Sequence, residues 1–122
     1  MLSLDTHIVV FALAGSLAPA EERLLVSDDL GVSAIVLWEL SKLFQLGRIR
    51  HDPGSAVVVA FLDQCQILPL NLQTAILSSK LDFRSDPADE IIAATSVVFN
   101  APLVTRDEQI RSSQVALLAL PS

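Results

Sequence analysis

Apolar and polar positions along this chain come in short blocks. Leu2–Leu4 is a brief apolar run ended by Asp5, the pattern of a short buried strand. Ile8–Leu13 stays apolar and reads as a short helix. Pro19-Ala20-Glu21-Glu22 opens a second helix, with proline near its first position and acids at the positive end of its dipole. Asp28-Asp29-Leu30-Gly31 is a turn, and Val32 with its neighbours makes a short strand. Ser33 is placed to cap a long helix from Ala34 to Leu46, closed by Gly47. At about 100° per residue, Val36, Leu37, Leu40, Leu43 and Phe44 share one arc of that helix. Glu39 lies at the arc's edge, beside Lys42.

Arg48–Ser55 reads as a polar loop, Ala56–Leu62 as a helix and Gln66–Leu70 as a strand stopped by Pro69. Asn71 caps Leu72–Ser79, and Leu81–Asp86 is a loop. Asp86 then caps a helix over Pro87–Phe99. Ala101–Val104 is a strand, Arg106–Arg111 a short helix and Val115–Leu118 a final strand. Strands that alternate with helical segments predict an α/β fold. The sheet is short and parallel, with about five strands and helices on both faces. No linker or repeat interrupts the chain, so residues 1–122 are expected to form one domain. In such sheets the functional groups gather beyond the carboxyl ends of the strands.

Composition sharpens this picture. The chain is 52% hydrophobic and only 18% charged, with a mean hydropathy of +0.54. That excludes disorder for the bulk of the chain and points to apolar surface covered by a partner. Eight basic against fourteen acidic residues give a formal charge of −6, the opposite of a basic nucleic-acid clamp. Tyrosine is absent and tryptophan occurs once, which disfavours a base-stacking platform. The one cysteine, Cys65, excludes an internal disulfide and suits a reducing cytoplasm. The charge-free stretches Thr6–Ala20 and Ile91–Thr105 have 15 residues each, too few to span a bilayer. No basic residue precedes the first apolar run, so a signal peptide is not expected either. The reading is a cytoplasmic, soluble protein with no membrane partner.

Four acids stand apart in apolar surroundings. Asp5 ends the first strand, Glu39 rides the long helix, Asp89 sits in the first turn of the Pro87 helix, and Asp107 follows Leu103-Val104. Each has an ordinary reading as a helix cap or, for Glu39 with Lys42, a surface pair. Together they have another. Carboxylates that share a cleft repel each other and are relieved by a divalent cation, and oxygen-only ligands suit Mg²⁺ or Mn²⁺. Such ions promote phosphodiester hydrolysis. His7 is expected to be a partly buried structural residue, His51 to face solvent and Cys65 to be a small core residue.

The segments around the acids resemble the motifs of PIN-domain ribonucleases, in the branch of VapC-like toxins. Leu4-Asp5-Thr6-His7-Ile8 resembles the first motif, and Ser33-Ala34-Ile35-Val36-Leu37-Trp38-Glu39-Leu40 the second. Asp86-Pro87-Ala88-Asp89 with Ile91-Ile92-Ala93-Ala94-Thr95 resembles the third, and Pro102-Leu103-Val104-Thr105-Arg106-Asp107 the fourth. The ordered set covers the chain from Leu2 to about Leu118. The resemblance implies a Mg²⁺- or Mn²⁺-dependent endoribonuclease, usually the toxin of a type II toxin–antitoxin pair. Asp5, Glu39, Asp89 and Asp107 would then be catalytic and hold the metal. Thr6, Ser33 and Thr105 would border the site, and Arg106 would reach a substrate phosphate. The partners implied are RNA, a VapB-like antitoxin and a second copy of the chain. Glu90 follows Asp89 where the family often has Arg, a local departure.

Alternatives fare less well. A phosphoacceptor domain of the response-regulator kind needs an early acidic pair and a late lysine, but the last lysine here is Lys80. His7 stands where an Asp-x-Asp-x-Thr phosphatase needs its second acid. A housekeeping PIN-like nuclease and a catalytically silent interaction module stay open at this level.

Overall fold

A computed structural model describes residues 1–119. Residues 120–122, the end of the expected domain, lie outside the described residues. The element order is β1 (Leu2–Leu4), α1 (Thr6–Ala14), α2 (Pro19–Ser27), β2 (Leu30–Ser33), α3 (Ala34–Gln45), α4 (Ala56–Asp63), β3 (Cys65–Leu68), α5 (Leu72–Ser78), α6 (Pro87–Val98), β4 (Leu103–Val104) and α7 (Glu108–Arg111). The four strands form one sheet in the order β3-β2-β1-β4, and every pairing is parallel. Successive residues of a strand point to opposite faces. Leu2, Ser3 and Leu4 are all buried, so β1 is covered on both sides by helices. Leu4, Val32, Val36, Leu40, Ile92 and Val104 form the centre of the core at 1% exposure or less.

The sheet has four strands, not about five. The segment Val115–Leu118 touches β4 only through a single parallel bridge between Leu103 and Leu118. Its backbone donors are taken by side chains instead. The N–H groups of Val115 and Ala116 both donate to Ser113 Oγ, and that of Leu117 donates to Ser96 Oγ. A strand whose donors are satisfied elsewhere cannot extend a ladder.

Other boundaries shift for equally local reasons. β3 ends at Leu68, before Pro69, which has no N–H to offer. α7 starts at Glu108 because Asp107 caps it, accepting from the Ile110 N–H at 3.0 Å. Asp86 stands at the cap position of α6 without making a side-chain cap bond. Only part of the expected apolar arc of α3 is buried: Val36 and Leu40 are, whereas Leu37 and Phe44 are 37% and 38% exposed.

A candidate active site at the carboxyl edge of the sheet

The centre of the sheet delivers Asp5 directly. It follows β1, its backbone N–H donates to Val104 O of β4 at 3.1 Å, and it caps α1. Its carboxylate is nearly buried, and both oxygens are held. Oδ1 accepts from the Thr6 N–H at 2.7 Å, and Oδ2 accepts from the Thr105 hydroxyl at 2.6 Å. The Thr6 hydroxyl donates to Glu39 Oε1 at 2.5 Å. The Thr105 hydroxyl oxygen accepts from the Asp107 N–H at 3.0 Å. Thr6 thus joins Asp5 to Glu39, and Thr105 joins Asp5 to Asp107. Both threonines are buried at element ends, where a short hydroxyl reaches backbone and carboxylate together.

Asp89 arrives from the first turn of α6, where Pro87 starts the helix. One of its oxygens accepts from the Ser85 hydroxyl at 2.9 Å. Asp5, Glu39, Asp89 and Asp107 all line one cavity of about 500 Å³, together with Asp86. Residues far apart in the chain meet there because parallel strands end on the same edge.

The cavity is electrostatically costly. Burial pushes the Asp5 carboxyl above its ordinary range, against the hydrogen bonds from Thr105 and Thr6. Burial also raises Glu39, helped by repulsion from Asp89 and Asp5. Asp89 is raised by burial first, then by Asp5, Asp107 and Asp86. Carboxyls raised by burial and by one another are the kind of cluster that a divalent cation would relieve. The donor set, oxygen only, fits Mg²⁺ or Mn²⁺ in kind. In this conformation, however, no three His, Cys, Asp or Glu side chains among the described residues converge on one ion position. The acids line the cavity and are held by hydroxyls and backbone N–H groups rather than by each other.

The remaining expectations divide. Ser33 is buried and caps α3 through the Ile35 N–H at 3.4 Å, and it is not part of the cavity lining. Arg106 is not free to meet a phosphate. Its Nε and Nη2 donate to the two carboxylate oxygens of Glu21 at 2.8 and 2.7 Å, and Nη2 also reaches Ser16 O at 3.2 Å. Its guanidinium lies 4.0 Å from the centre of the Phe11 ring. The fork that would grip a phosphate is occupied by a carboxylate. His7 is exposed, contrary to the expected partial burial, and lines the cavity beside Asp5.

Three site residues escaped the sequence reading: Asp86, Arg48 and Ser85. Asp86 and Ser85 sit in the Ser-Asp-Pro-Ala-Asp segment and read as loop and cap. Arg48 sits in what reads as a polar loop. The glycine before it was the available signal. Gly47 adopts φ +71°, and the Gly47 and Arg48 N–H groups donate back to Phe44 O and Leu43 O at 3.0 and 2.9 Å. This left-handed closure of α3 folds Arg48 and Ile49 back onto the cavity wall beside Leu43.

The fold and site define a parallel α/β domain with carboxylates gathered at the carboxyl edge of its central strands, and comparison narrows the class. A family model described as PIN domain matches residues 2–114. The chain belongs to the PIN domain family. Among solved structures it is similar to VapBC2 from Rickettsia felis bound to a promoter DNA fragment. That likeness has a TM-score of 0.75 at 20% identity, over 96% of both chains. It is similar to a toxin–antitoxin complex from Klebsiella pneumoniae, with a TM-score of 0.70 at 15% identity over the full length of both chains. It also resembles FitAcB from Neisseria gonorrhoeae, with a TM-score of 0.66 at 22% identity over 90% of each. No curated protein sequence matches significantly. No helix among the described residues is long and apolar enough to cross a membrane.

Proposed function

We propose that this chain is a Mg²⁺- or Mn²⁺-dependent endoribonuclease, the toxin of a type II toxin–antitoxin pair. It acts in the cytoplasm as a homodimer held in check by a VapB-like antitoxin. The observation that carries this reading is the meeting of Asp5, Glu39, Asp89 and Asp107 in one cavity of a PIN-family fold. The structural neighbours named as toxin–antitoxin complexes support the partner. So do the large apolar side chains left exposed, among them Trp38 at 54% and Leu72 at 74%.

The four carboxylates would hold the cation, which supplies Lewis-acid activation of water and charge neutralisation at the phosphoryl oxygens. Asp5 is fixed at both oxygens and serves as the rigid anchor of the site. Glu39 and Asp89 are each held by one hydroxyl hydrogen bond, on Oε1 and Oδ2. Their second oxygens carry no hydrogen bond among the described residues. Those oxygens would be available to the cation, whose charge would offset the burial and mutual repulsion that raise both carboxyls. The attack on phosphorus needs no covalent enzyme intermediate.

Regulated expression in a bacterial host tests the toxin reading. Wild-type chain should arrest growth with loss of intact cellular RNA, and Asp5→Asn at equal abundance should do neither. Equal arrest by both would overturn the assignment.

A further inference from the structure

The acidic cavity has to accept a polyanion, and the arginine nominated by sequence is already committed. Arg106 is gripped on two sides of its fork by Glu21. Arg111 donates to Thr105 O at 3.3 Å, and Lys42 to Gln45 at 3.2 Å. Arg48 differs from these. It lines the same cavity as Asp5, Glu39, Asp89 and Asp107. Among the described residues no hydrogen bond or ion pair engages its guanidinium, although acids share its cavity. Its backbone is not adrift. The left-handed Gly47 and the two closing hydrogen bonds to Phe44 O and Leu43 O fix where the side chain starts. Ile49 and Leu43 flank it on the cavity wall.

We propose that Arg48 is the substrate-phosphate contact of this cleft, gripping a phosphate of the RNA strand while the carboxylates act at the scissile one. The inference rests on the nuclease reading and adds a specificity and affinity residue to it. A rigidly rooted, unengaged guanidinium at the rim of an acidic cavity is suited to bidentate phosphate recognition. It also explains how a chain with a net charge of −6 can hold RNA: one anchored cation and a neutralised cleft replace a broad basic patch.

The test uses a fluorescein-labelled single-stranded oligoribonucleotide of mixed sequence. Anisotropy is read in Ca²⁺ across a salt series, and cleavage in Mn²⁺. Arg48→Ala should weaken binding about tenfold, which is about 1.4 kcal/mol. It should also flatten the slope of log Kd against log salt by about 0.7, the loss of one phosphate contact on a single strand. Arg48→Lys keeps the charge and should retain the wild-type slope, with binding about threefold weaker for want of the planar fork. It also serves as the folded variant should the alanine form unfold. Wild-type affinity and slope in a folded Arg48→Ala protein that still cleaves would overturn the proposal and leave the nuclease reading intact. If wild type neither binds nor cleaves the strand, both fall together.

Discussion

Single residues show why the site was partly readable in advance. Asp5 and Glu39 could be picked out because each interrupts apolar sequence, where a solitary carboxylate needs a reason, whereas Asp89 and Asp107 have charged neighbours and stood out through the motifs around them. Arg106 misled because sequence shows its neighbours but not its partner. Glu21 stands 85 positions away and is 6% exposed, with its carboxylate bridging Arg106 and the Ala18 N–H. This pair ties α2 to the loop that carries Thr105 and Asp107. The Arg106 hydrogen bond, more than any other cause, holds the Glu21 carboxyl below its ordinary range. A lowered folded-state value stabilises above the ordinary glutamate range and is lost as pH falls through the lowered one. Glu21→Gln should therefore cost roughly 1 kcal/mol at neutral pH, a modest figure because Arg106 is partly solvent-screened. Urea unfolding should show the gap from wild type closing as pH drops below the glutamate range. A gap independent of pH would mean that the pair contributes through packing alone.

At the scale of elements, the alternation of strands and helices was readable because capping residues and prolines mark the boundaries. Ser33, Asn71 and Pro87 all stand where the sequence puts them. The expected fifth strand does not form, because Val115–Leu118 has strand-like residues but loses two donors to the nearby Ser113 hydroxyl and a third to Ser96, a contact 21 positions away that no local pattern reveals. The polar loop after α3 was legible as a loop, but its return to the cavity depends on one backbone angle. Gly15 and Gly47 adopt φ +69° and +71°, and a Cβ on either meets nothing within 4 Å. Alanine at either position therefore costs backbone strain without a clash, about 1 kcal/mol. Chemical denaturation should show similar losses for Gly15→Ala and Gly47→Ala, with unchanged dependence on denaturant. Only Gly47→Ala should also weaken RNA binding, because it alone disturbs the turn that places Arg48. Equal RNA affinity in the two variants would separate the turn from the site.

For the whole molecule, the net charge of −6 gives a misleading first impression. Five of the fourteen acids line one cavity, so the total describes the interior of a cleft as much as the surface. The high hydrophobic fraction has a similar resolution. The core accounts for part of it, while Val57, Trp38, Leu46 and Leu72 stay more than half exposed on the helices and the turn after α3. A single chain cannot show what covers them, which is why partners were readable from composition only as a need for cover. The cleft is where the molecule concentrates unfavourable charge, and the proposed cation would offset it.

Cleavage of a labelled single-stranded RNA, followed while Mn²⁺ is titrated into purified, metal-stripped protein, tests that most directly. The wild type should be inert without metal, gain activity saturably with Mn²⁺ and lose it to EDTA. Asp5→Asn should stay inert at every metal concentration while melting cooperatively. Cleavage by the wild type in EDTA, or by Asp5→Asn at the wild-type rate, would contradict the carboxylate metal site.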